Sequence, residues 1–126
     1  MKVWAKHYQS TWQERAGNPR LPLWLRVAAL AYGNHKANGH ANFRPGEVAL
    51  AVSTVNPETG EITTPDRRDV GDAVRVAVEY GWLAQGSGTT CLVVPAHAVS
   101  GGIGNAQAAC PVHEKRAATR SRLRAA

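Results

Sequence analysis

Val70-Gly71-Asp72-Ala73-Val74-Arg75-Val76-Ala77-Val78-Glu79-Tyr80-Gly81-Trp82-Leu83-Ala84 is the stretch on which the reading of this chain turns. Val70, Ala73, Val74, Ala77 and Val78 fall at offsets 0, 3, 4, 7 and 8, so a 3.6-residue helix carries all five on one face. Asp66 stands at a natural N-cap and Gly81 at a natural helix end. Trp82-Leu83-Ala84 then opens a strand, Gly86-Ser87-Gly88 makes a turn, and Thr89-Thr90-Cys91-Leu92-Val93-Val94 returns as a second strand. Upstream, Phe43-Arg44-Pro45-Gly46-Glu47 leads into a short helix of Val48, Ala49, Leu50, Ala51 and Val52. The thirteen residues 53–65 between the helices form a loop around the turn signal Asn56-Pro57-Glu58-Thr59-Gly60, with room for a small strand pair near Ile62.

Working outward, a helix is expected from Pro22 to about Lys36, with Leu23, Val27, Leu30 and Ala31 on one face. Trp4, Tyr8 and Trp12 recur every four residues, which predicts an N-terminal helix with an aromatic stripe, either covering the core or facing a partner. Residues 34–42 read as a helix end and loop that includes His35 and His40. Beyond Val94 the chain turns rich in Gly and Ala, and from Glu114 onward basic residues alternate with Ala and Ser. The organisation expected is an N-terminal helical extension (1–20), a central domain (21–94), a Gly-rich loop (95–113) and a basic flexible tail (114–126).

The chain has 126 residues, enough for a core without disulfides, and a formal charge of +6. A basic balance favours nucleic acid or an anionic surface. The charge lies at the ends: seven Lys/Arg against three acids in 1–60, three against five in 61–100, and five against one in 101–126. No apolar run approaches membrane-spanning length, and Lys2 and Lys6 are not followed by an apolar signal segment. A cytoplasmic location, nucleoid-associated in a bacterial or infected host cell, is the expectation.

Cys91, His97, Cys110 and His113 form C-x5-H-x12-C-x2-H, two thiolates and two imidazoles of the kinds that tetrahedral zinc takes. Structural Zn2+ there would staple the Gly-rich loop to the domain before it. The same residues also fit a buried Cys91 acting as a small hydrophobe with an unrelated Cys110, or one disulfide. A reducing cytosol favours thiols or metal ligation.

Arg44-Pro45-Gly46-Glu47-Val48-Ala49, Asp69-Val70-Gly71-Asp72-Ala73-Val74-Arg75 and Gly81-Trp82-Leu83 resemble, in that order, the second helix, recognition helix and wing start of winged helix–turn–helix regulators. Residues 20–113 are also similar to small helix–turn–helix proteins of actinobacterial phages and mobile elements. The resemblance implies an α+β fold: a winged helix–turn–helix with an extra N-terminal helix and a C-terminal Cys/His-stapled loop. It implies sequence-specific double-stranded DNA binding by a regulator of transcription, replication or excision. The long 53–65 loop departs from the usual turn of about 3–4 residues.

In such a fold the helix after Asp66 would display Arg67, Arg68, Gly71, Asp72 and Arg75 to the major groove. Arginine suits guanine O6/N7 and phosphate alike, Gly71 permits close backbone approach, and Asp72 can accept from cytosine or pair with Arg68 or Arg75. Ser87 and Thr89 at the wing tip, and Lys115, Arg116 and Arg120 in the tail, are the expected phosphate contacts. The alternatives are a solvated salt-bridged face and a solubilising tail.

No catalytic role is expected. His35, Asn38 and His40 lack the order of an HNH nuclease, and Gly101-Gly102-Ile103-Gly104 lacks the setting of a phosphate loop. Ser100 with His97 lacks an orienting acid. The expected partner is duplex DNA, with a homodimer a reasonable arrangement and no membrane or small-molecule substrate. A protein-interaction adaptor and an RNA binder are the other readings.

Overall fold

The computed structural model describes residues 3–125; Met1, Lys2 and Ala126, at the ends of the expected extension and tail, lie outside it. The described chain is mixed α+β, with five helices and two small antiparallel sheets. The order is α1 (Gln9–Ala16), α2 (Leu23–Asn34), β1 (His40–Asn42), α3 (Glu47–Ala51), β2 (Thr54–Val55), β3 (Ile62–Thr63), α4 (Arg67–Glu79), β4 (Cys91–Val93) and α5 (Pro111–Ala125).

Helix α2 is the centre of the core. It packs against α1 and α4 and touches both strands of the β1–β4 ladder. Its run from Arg26 to Gly33 is buried, and the small residues Ala28, Ala29, Ala31 and Gly33 let neighbours come close. At Gly33 an added Cβ would meet Gln13 Cγ at 2.8 Å and the Gln13 backbone nitrogen at 3.0 Å. That closeness lets Gln9 and Gln13 donate to the His35 and Gly33 carbonyls at 3.0 and 2.9 Å, filling acceptors that the end of α2 leaves open. Buried Arg26 returns the favour, its Nε donating to the Ala16 carbonyl at the end of α1 (2.9 Å).

Helix α4 follows its amphipathic spacing. Asp66 caps it, accepting from the Asp69 amide at 2.8 Å, and Val70, Ala73, Val74 and Ala77 are buried. Val48 and Val52 from the α3 region close the core beside them, with Leu92 of β4 fully buried. Truncating a residue so placed costs about 2–5 kcal/mol.

Three expectations change. The N-terminal stripe is not helical throughout: α1 starts at Gln9, leaving Trp4 and Tyr8 exposed, while Trp12 packs against Tyr32 and Trp82. Trp82-Leu83-Ala84 is not a strand; Leu83 turns into the core, and only the Ala84 amide joins β4, at the Val93 carbonyl (2.8 Å). Cys91–Val93 instead pairs with β1, which read as loop from sequence. The segment 114–126, expected to be a basic tail that is disordered or weakly helical on its own, lies over its described part in the helix Pro111–Ala125. The small strand pair near Ile62 is present as β2–β3. No described helix is long and apolar enough to cross a membrane.

Candidate functional site

The β1–β4 ladder separates the core from a polar site. Its register pairs His40 with Val93, Ala41 with Leu92 and Asn42 with Cys91. Side chains alternate along each strand, and cross-strand partners share a face. Ala41 and Leu92 therefore enter the core, while His40, Asn42 and Cys91 share the opposite face. Helix α5 arrives on that face. Cys110 precedes its first residue and accepts the first helical bond, from the Glu114 amide (2.9 Å).

His40, Cys91, Cys110 and His113 meet there. One ligand atom from each lies within 4.8 Å of all the others, and the group could hold a metal ion. The sulfurs of Cys91 and Cys110 are 3.6 Å apart, and both residues are buried free thiols. Two thiolates on a tetrahedral zinc, at about 2.3 Å each, stand about 3.8 Å apart. His40 Nδ1 is 3.3 Å from the Cys91 sulfur, and His113 Nδ1 is 3.2 Å from that of Cys110.

The outer partners are in place as well. His113 Nε2 donates to the Gly86 carbonyl at 2.8 Å. A carbonyl only accepts, so Nε2 carries a hydrogen, which leaves Nδ1 as the ring nitrogen that faces the cluster. Asn42 Nδ2 donates to the Cys110 sulfur at 3.3 Å. Gly86 has φ +90°, and a Cβ there would come 3.3 Å from His113 Nε2, so this glycine makes both the turn and the space.

The thiols divide in character. Burial, then the neighbouring Cys110 sulfur, pushes the Cys91 thiol up to about 12. Burial of Cys110 opposes its ionisation, but hydrogen bonds from His113, Asn42 and Cys91 outweigh it and bring that thiol down to about 5. Cys110 is therefore the thiol that ionises first and Cys91 the one that keeps its proton, which a bound cation would displace.

Three of the four ligands expected from sequence are brought together. The fourth, His97, is not: it lies exposed in a turn at residues 96–98, and His40 takes its place. The reason is the ladder, which carries His40 beside Cys91 across a separation of 51 residues. A three-residue strand of His, Ala and Asn has too little pattern to be recognised; the signal available was the alternation of His40 and Asn42 about a small residue. The Gly-rich loop is also held without the cluster. Ala37 donates to the Ile103 carbonyl (2.9 Å), Asn38 to that of Ala108 (3.2 Å), and a Cβ at Gly102 would strike the Lys36 backbone at 2.9 Å.

The residues expected to face DNA occupy two places. Arg67, Arg68 and Arg75 are exposed on α4, with Gly71 and Asp72 half-buried. Asp72 pairs with Arg75 at 3.0 Å, a surface pair of little energetic weight. Ser87 is turned inward, its hydroxyl accepting from the Val93 amide at 3.0 Å. Thr89 lines grooves on both sides, towards Arg67 and towards Arg75. Lys115, Arg116 and Arg120 lie on α5, where Arg116 reaches back to the Gly86 carbonyl at 3.4 Å. Compared with known proteins, the chain has no significant match to a family model, a curated protein or a solved structure.

Proposed function

We propose that this chain binds duplex DNA as a winged helix–turn–helix regulator of transcription, replication or excision, with a structural zinc ion at His40, Cys91, Cys110 and His113. The observation that carries the reading is α4: four residues buried on one side, and Arg67, Arg68 and Arg75 exposed on the other. A recognition helix needs that division, with its N-terminal half turned to base edges. The element order supports it: helix, short strand, short helix, amphipathic helix, glycine turn and returning strand. The β2–β3 pair fills the place of the usual tight turn.

The zinc assignment rests on ligand type. Two sulfurs and two imidazole nitrogens make a closed tetrahedral set, with no open position for a reacting water. The role is therefore structural rather than catalytic.

The test is selection of duplexes from a random library, followed by anisotropy with Arg67→Ala, Arg68→Ala and Arg75→Ala. Each bidentate arginine–guanine contact contributes about 1–3 kcal/mol of discrimination, so the variants should lose sequence preference. Absence of duplex binding at low salt, or an unchanged selected sequence, would overturn the proposal. Exposed Trp4 and Tyr8 favour a second reading, a protein-interaction adaptor, which that negative result would bring forward.

A further inference from the structure

We propose that α5 is a phosphate-gripping arm for duplex DNA, and that metal at the Cys/His cluster sets its position. The inference rests on the DNA-binding reading.

Helix α5 has fifteen residues, none of them buried. Such a helix is marginal by itself in water. Its hydrogen bonds to the rest of the chain come from the start: Cys110 at its cap, His113, and Arg116. Beyond Arg116 no hydrogen bond between described residues ties it to another element. Cys110 and His113 supply half of the candidate ligand set, and His40 and Cys91 on the ladder supply the other half. A metal there would join the foot of α5 to the core by four bonds.

The arm is basic on the side that faces the body. Lys115, Arg116, Thr119 and Arg120 recur at helical spacing and line an open groove of about 570 Å³, opposite Phe43, Pro45 and Thr90. A second groove, about 400 Å³, shares Pro45 and Thr90 and reaches Arg67 at the start of α4. Neither lining contains a carboxylate, and the salt bridge found among the described residues, Arg75–Asp72, lies outside both. Four cations thus flank a joined pair of grooves ending at the base-reading end of α4. A polyanion with regularly spaced charges fits that track, and its position beside α4 selects the DNA backbone.

The test uses the full chain with zinc alone as the added metal. Anisotropy on a short random-sequence duplex across a salt series is measured for wild type and for Lys115→Ala/Arg120→Ala, each zinc-loaded and chelated. Far-UV and near-UV circular dichroism report α5 and the core in the same samples. Each phosphate neutralised contributes about 0.9 to the steepness of log affinity against log salt. The double variant should therefore be shallower than wild type by about 2. Chelation should flatten wild type by at least as much while near-UV dichroism is retained, and should change the double variant far less. Equal slopes for wild type and double variant, or a wild-type slope indifferent to zinc, would overturn the arm. Failure of the zinc-loaded protein to bind any duplex would instead sink the DNA reading itself. The same zinc-dependent slope on duplex RNA, with weaker DNA binding, would overturn the choice of DNA.

Discussion

His113 Nε2 donates to the Gly86 carbonyl at 2.8 Å, so the turn after α4 fixes how the first turn of α5 presents its imidazole to the cysteines. Ligand and orienting carbonyl are 27 residues apart in sequence. The candidate metal centre is therefore a joint between three parts of the chain: the β1–β4 ladder, the glycine turn and α5.

The joint makes a direct comparison between two histidines. Removing an outer-shell partner typically lowers metal affinity by about 10–100-fold, and removing a ligand should do more. His40→Ala is expected to weaken zinc binding by at least about 100-fold in competition with a chromophoric chelator, while His97→Ala leaves it unchanged. The reverse pattern would restore the ligand set expected from sequence.

Acid should act on the metal-free protein through the thiol pair. The first proton leaves with Cys110 lowered to about 5 from an ordinary 9.0, so between these values the unfolded chain holds more protons than the folded one. Stability from this source is complete above the unfolded value and is lost as pH falls through the folded one. Cys91, raised from 9.0 to about 12, works in the other direction: its contribution is present below 9.0 and is lost as pH rises toward 12. The denaturation midpoint of chelated protein should climb from pH 5 toward 9 more in wild type than in Cys110→Ser. Thiolate absorbance should show one thiol titrating early and one late; two thiols titrating together near 9 would contradict the division.

Gly33 gives a test of the helical core. Glycine to alanine inside a helix ordinarily stabilises by about 1 kcal/mol. Here the new methyl would meet the Gln13 side chain and its backbone nitrogen, and the backbone cannot swing aside. Gly33→Ala should lower the thermal midpoint, with Gln13→Ala in the same chain recovering little because the backbone contact remains. A raised midpoint would show that α1 moves freely on α2.

The parts legible from sequence were those with long apolar periodicity. α4 repeats its apolar spacing from Val70 to Val78 and carries its own cap, so its limits, Arg67 and Glu79, were readable to within two residues from Asp66 and Gly81. α2 was readable because an apolar run broken only by Arg26 follows Pro22 as far as Tyr32. The ladder was not, since three residues hold no period and its partner strand lies far along the chain. The exchange of His97 for His40 in the cluster has the same source: His97 is near Cys91 in sequence, whereas His40 is near it only after pairing. The foot of α5 was hidden for another reason. None of its fifteen residues is buried, so hydrophobic pattern is silent about it, and its anchor is the cluster.

Neighbouring residues of β4 serve opposite masters: Leu92 is sealed in the core and Cys91 faces His40. A ladder this short has little of its own to prevent slippage by one residue, and slippage would exchange those faces. A bound metal would act as a proofreader of strand alignment, because a slipped ladder offers it leucine in place of sulfur. Correct folding of the interior and capture of the ion would then reject the same errors.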